Sequence, residues 1–190
     1  MKKLVGGLVL ALVIVLPCAW AYGLGSMDTE TLAQCSVNQT SASKEGGGSA
    51  LYPASVCFSY LRSFRSTPAD IQLLTDGGGL DSILNGDSPM KYKVAAFLIR
   101  QGLSVESINH HSVEDRTLAV TPLQAAIYYN DLPRVRFLLD QGANPLVTDE
   151  DGHTPLQVAT GFQQTRPDVT RLRIMYLLKD AEDKAKAPAS

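Results

Sequence analysis

The chain has 190 residues, 45% of them hydrophobic and 19% charged, with a net charge of −2. This is the size and balance of one ordinary globular domain with room for an appended segment, and there is enough apolar material to bury a core. A slightly acidic chain does not have a nucleic-acid binder's charge balance.

Residues 1–21 stand apart. "MKK" is followed by 18 uncharged residues from Leu4 to Ala21 that end in "LPCAWA". A charged start, an apolar centre, Pro17 as a helix breaker and small Ala19 and Ala21 predict a secretory signal peptide cut after Ala21, leaving Tyr22 first. An uncleaved anchor is the alternative, because 18 residues reach the lower limit for spanning a bilayer; Gly6, Gly7 and Pro17 weaken it. A lipid-modified Cys18 is disfavoured by Pro17 directly before it. Cleavage places the protein in the periplasm, and anchoring leaves it on the inner membrane facing the periplasm. Removal takes Lys2 and Lys3 and no acid, which moves the charge from −2 to −4. It also leaves two cysteines, Cys35 and Cys57, which are expected to pair in an oxidising compartment. Their closed loop of about 22 residues would restrict the unfolded chain by roughly 3 kcal/mol. Two buried free thiols are the other reading.

Residues 22–49 are rich in Ser, Thr, Gly, Gln and Asn, with "SASKEGGGSA" near the end and no sustained apolar period. They predict a polar flexible segment, its second half pinned if Cys35 bridges to Cys57. Residues 50–79 predict a helical cap. In "ASVCFSYLRSF", Cys57, Tyr60, Leu61 and Phe64 fall at i, i+3, i+4 and i+7, one apolar stripe after a proline. A second short helix follows Pro68, and "TDGGG" from Thr75 to Gly79 stops it.

From Leu80 the chain repeats itself. "TPLQAA" at Thr121 returns as "TPLQVA" at Thr154, an offset of 33, and "VAAFLIRQGLSV" around Phe97 is echoed by "VRFLLDQGANPL" around Phe137, with Phe97 under Phe137 and Gly102 under Gly142 at an offset of 40. The larger offset reflects seven residues inserted between Gly102 and Thr121. A third unit follows Thr154, with "RIMYLLKDA" as its second helix and six surplus residues in "GFQQTRPDVT". This pattern resembles the ankyrin repeat, with its 33-residue unit and T-P-L-H-x-A opening. The resemblance covers residues 80–183 and implies an all-α solenoid of stacked helix-turn-helix units, followed by a tail at residues 184–190. Gln124 and Gln157 stand where the family has histidine, and Asn130 where it has glycine.

The residues support the same frame directly. Thr121-Pro122 and Thr154-Pro155 each predict a capped helix start. Leu123, Ala126, Val135, Leu138 and Leu139 give two short apolar faces, Gly142 predicts a left-handed helix end, and Asn130 is the next-best residue for such a cap. Neither helix pair can bury its face alone, so the units are expected to stack.

Chemistry is sparse in the sequence. His110, His111 and His153 fall in predicted loops without metal-ligand spacing, and the glycine runs lack a phosphate-binding context. Glu114-Asp115 and Asp149-Glu150-Asp151 read as solvated tips. No catalytic residue, metal or cofactor is expected, and the chain is not expected to be an enzyme.

The resemblance implies a binding surface built from first-helix residues and the tips between units, with a protein as partner. In its frame the first-helix positions are Tyr128 and Tyr129, then Gly161 and Phe162, and the tips are Glu150, Asp151 and His153. The inserted segment from Ser107 to Val120, with His110, His111 and Glu114, is expected to form a rim. Adjacent tyrosines provide contact area at low entropic cost, although one of the two is as readily packed on the next unit. Acidic tips imply a basic patch on the partner. Signal, disulfide and small solenoid together resemble exported immunity proteins that neutralise a toxic effector such as a phospholipase. An inner-membrane scaffold or stress-protection factor for an envelope enzyme is the rival expectation.

Overall fold

The structure is a computed structural model and describes residues 22–38, 52–113 and 116–187. The candidate signal, the Gly-Ser stretch at residues 41–50 and Glu114 lie outside these residues.

Nine helices of the described residues are used below. Helix α1 spans Thr29–Val37, α2 Ala54–Phe64 and α3 Pro68–Asp76; α4 spans Gly79–Leu84 and α5 Lys91–Arg100. Strands β1 (Asn109–Val113) and β2 (Arg116–Val120) follow, then α6 (Pro122–Tyr128), α7 (Leu132–Asp140), α8 (Pro155–Thr165) and α9 (Val169–Lys186). The pairs α4/α5, α6/α7 and α8/α9 stack as a solenoid, with α6 against α8 and α7 against α9, while α1 packs on α2, α3, α4 and α5. None of the described helices is long and apolar enough to cross a membrane.

Over residues 29–37 helix α1 corrects the expectation of a flexible polar segment from 22 to 49, of which residues 39–49 lie outside the described residues. Asp28 caps it by accepting a hydrogen bond from the Thr31 N–H at 2.7 Å, and Leu32, Ala33, Cys35, Ser36 and Val37 are buried. Its polarity hides the packing face because the buried hydroxyls find partners close by. Ser36 donates to the Leu32 carbonyl at 2.6 Å, and Thr29 donates to Asp70 Oδ1 at 2.7 Å. Burial alone would raise the Asp70 pKa, but the hydrogen bonds from Thr29 and Thr67 outweigh it and hold the carboxyl below its ordinary value. A disulfide joins Cys35 of α1 to Cys57 of α2, with the Cα atoms 5.9 Å apart.

On α2 the predicted stripe holds at Cys57 and Leu61, which are buried, and fails at its end. Phe64 is 67% exposed and leans on the ring of Tyr60 at 4.8 Å. The stripe runs off the packed interface in the last turn, and Phe58 is the buried aromatic instead, edge-on to Phe97 at 5.7 Å.

Within the repeats the predicted starts hold. Thr121 and Thr154 each form a capping box in which the glutamine three residues on accepts from the threonine N–H, at 2.9 Å for Gln124 and 2.8 Å for Gln157. This is what glutamine does at the two positions where the family places histidine. Gly142 has φ +89°, and Asn130, at φ +56°, is the one non-glycine in the left-handed region among the described residues. The six-residue surplus in the last unit is absorbed partly by lengthening α8, which runs to Thr165. At residues 184–186 the expected tail is also corrected, because α9 continues to Lys186; residues 188–190 lie outside the described ones. Three i,i+4 ion pairs, Lys179–Asp183, Lys184–Asp180 and Lys186–Glu182, support that extension.

Candidate functional site

The connection lengthened by seven residues, from Ser107 to Val120, is not an irregular loop. It holds an antiparallel hairpin in which Asn109 pairs with Val120, His110 with Ala119 and His111 with Leu118. Alternation along β1 sends neighbouring side chains to opposite faces, so His110 is exposed while His111 is buried. His111 is therefore corrected from a rim contact to an interior group.

Behind the hairpin lies a polar network that the sequence reading did not contain. Asp81, on α4, is buried. Its carboxylate accepts from the Arg134 guanidinium, from Asn109 Nδ2 at 2.8 Å and lies 3.1 Å from His111 Nε2. Arg134 also donates to Asn85 Oδ1 at 2.8 Å. On its other side, His111 Nδ1 lies 3.3 Å from the hydroxyl of Tyr129, whose ring meets the imidazole edge-on at 5.9 Å. The first helix pair, the hairpin and the second pair are thus locked through one carboxylate.

The two tyrosines divide the roles left open between them. Tyr128 is half-buried and meets Phe162 edge-on at 5.4 Å, bridging α6 and α8. Tyr129 is 52% exposed. Phe162 is itself half-buried under the guanidinium groups of Arg166 and Arg171, 5.3 Å and 5.2 Å from its centroid. Tyr128 and Phe162 therefore join neighbouring units, and Tyr129 is the aromatic left facing solvent. Gly161 is exposed, with open space where a Cβ would stand.

Glu150, Asp151 and His153 are exposed at the next tip. Asp149 organises it, accepting from the N–H of Asp151 at 3.0 Å and of His153 at 2.8 Å. Tyr128, Ala119 and Val120 line a small recess with Asp149, Glu150 and Asp151. Across the adjoining connection Asn130 donates to Asp168 Oδ2 at 2.9 Å. That bond, with the N–H of Arg171, holds the Asp168 pKa below its usual value. Among the described residues no group of three or more His, Cys, Asp or Glu is placed to hold a metal ion.

A second recess on the outer helices is lined by Tyr92, Leu132, Pro133, Arg136, Phe137 and Asp140. Burial, reinforced by Asp131 and opposed by Arg134, pushes the Tyr92 hydroxyl pKa up, so this phenol stays neutral. None of these residues is among the site residues expected from the sequence.

A hairpin, two capping boxes and a left-handed asparagine set this surface on stacked helix pairs with a 33-residue period. Residues 107–159 match the family described as ankyrin repeats (many copies). The match takes in the hairpin, the whole second pair and the start of the third. Ankyrin repeats mark a protein-interaction domain, and a protein is the expected class of partner. No curated protein matches the chain.

Proposed function

We propose that this chain is an exported, non-enzymatic binding protein that acts in the periplasm as an immunity protein. It covers the active-site entrance of a toxic effector enzyme such as a phospholipase. Exposed Tyr129 carries the reading, because it is a large aromatic held on a rigid repeat surface rather than on a free loop. The acidic tip at Glu150 and Asp151 and the exposed His110 form the rim. Export is supported by the uncharged run from Leu4 to Ala21, and an oxidising compartment by the Cys35–Cys57 bridge.

Affinity purification from the cell envelope tests the proposal. One dominant stoichiometric partner with hydrolase activity is expected, inhibited in the complex. A scatter of weak partners with no inhibition would overturn the inhibitor reading. Replacing Tyr129 with Ala is expected to weaken the complex by at least about 2 kcal/mol by calorimetry, whereas Tyr128→Ala acts through repeat packing and lowers thermal stability as well.

A further inference from the structure

We propose that Tyr129 presents a fixed hydrogen-bond acceptor to the partner, so that the group meeting it is an N–H donor of a basic side chain, arginine above all. The inference deepens the binding role of Tyr129 and rests on it.

The polarity follows from counting hydrogens inward from Asp81. The Asp81 carboxylate forms an ion pair with Arg134 and offers only lone pairs. Arg134 supplies hydrogen to Oδ1, and Asn109 Nδ2 supplies it to Oδ2 at 2.8 Å. His111 Nε2, 3.1 Å from the same Oδ2, must therefore carry a hydrogen. A neutral imidazole has one N–H, which leaves Nδ1 with a lone pair and no proton. The Tyr129 hydroxyl, 3.3 Å from Nδ1, is then the donor of that contact. A phenol has a single hydrogen, and here it is directed inward. The outward side of the oxygen keeps only lone pairs, on a ring that is 52% exposed. A donor group satisfies that oxygen, whereas a carboxylate is repelled by it. The electron-rich ring face favours a cation for the same position.

The imidazole lies between Asp81 of α4 and Tyr129, which caps the end of α6, and the same carboxylate is met by Arg134 of α7 and by Asn109 of the imidazole's own strand. If acid adds the second proton to His111, Nδ1 becomes a donor and the phenol must accept from it. Its own hydrogen then turns outward, and the preference passes from donors to acceptors. His111 and Asp81 are thus positioning residues for the polarity of Tyr129.

The test uses the full chain labelled with ¹⁵N. Long-range ¹H–¹⁵N correlations of the His111 ring at pH 8 are expected to show Nε2 protonated and Nδ1 bare. Two blocked amino acids, N-acetyl-arginine amide and N-acetyl-glutamate amide, are then titrated while the Tyr129 ring signals are followed. The arginine probe is expected to bind about fivefold more tightly, the worth of one modest hydrogen bond. Tyr129→Phe is expected to remove that preference, and acid to reverse it once both His111 nitrogens are protonated. A protonated Nδ1 with a bare Nε2 at pH 8 overturns the proposal. So does equal or absent response to the two probes, or a preference that survives in Tyr129→Phe. These readings need no effector, so failure to find one sinks the proposed function and leaves them standing.

Discussion

Between the second and third helix pairs the chain crosses in a turn that satisfies itself. Asp149 accepts from Asp151 and His153, and the Gly152 and Asp149 N–H groups bond to the Asp149 and His153 carbonyls, all within five residues. Between the first and second pairs it crosses in a hairpin anchored to Asp81 by residues 28 and 30 positions away in sequence, and Asp81 is itself held by Arg134, 53 positions away. The turn carries its own instructions. The hairpin depends on a carboxylate that belongs to another unit. An insertion of seven residues has polar groups that a stack of helices cannot meet locally, and Asp81 meets several of them together.

The same contrast separates two arginines at equivalent positions. Asp131-x-x-Arg134 opens α7 and Asp168-x-x-Arg171 opens α9, and in each the aspartate accepts from the arginine N–H at 3.0 Å. Both guanidinium groups are buried. Arg171 stays within its own unit, donating to the carbonyls of Phe162 at 3.2 Å and Arg166 at 2.9 Å near the end of α8. Arg134 reaches across to the charged Asp81 and the side chain of Asn85. One closes a helix end, and the other joins two units.

The sharpest way to break the comparison is Arg134→Ala. It strands Asp81 as a buried, uncompensated charge beside His111 and is expected to cost about 3–5 kcal/mol in urea unfolding. Arg171→Ala strands only backbone carbonyls near a surface that water can reach, and about 1–3 kcal/mol is expected. Equal losses would show that Asp81 gains little from Arg134 and that the hairpin is held by other contacts. Replacing Asp81 with Leu and Arg134 with Met together is expected to restore much of the stability, since both charges leave at once.

That difference also marks what could be read beforehand. The helix starts at Pro122 and Pro155, the left-handed Asn130 and Gly142, and the bridge from Cys35 to Cys57 are local or compositional signals, and each stands in the structure as expected. Helix α1 was missed because its buried face is made of Thr, Ala, Cys, Ser and Val around a single Leu, residues whose hydroxyls pair with nearby backbone or with Asp70. Asp81, Asn85 and Arg134 were missed because no spacing joins residues so far apart. One signal was present: the D-x-x-R pattern recurs at the same place in two units, and a charged residue repeated in phase within an apolar helix start points inward. Of the candidate surface residues, Tyr129, Glu150, Asp151, His153 and His110 are exposed. Tyr128 and Phe162 face each other, since helix geometry sends one of two adjacent residues toward the next unit.

The smallest expected effect belongs to the self-contained turn. Asp149→Ala removes the acceptor for two N–H groups, those of Asp151 and His153, at a site where water reaches both. The expected cost is about 1 kcal/mol in global unfolding, the usual worth of such a side-chain acceptor. Amide exchange should rise locally, at residues 150–153, and leave the hairpin amides at 109–120 unchanged. Faster exchange spreading into the hairpin would mean that the two connections are coupled through the recess shared by Tyr128, Ala119 and Val120. The contrast between a turn that stands alone and a hairpin that leans on its neighbours would then fail at the point where Tyr128 touches both.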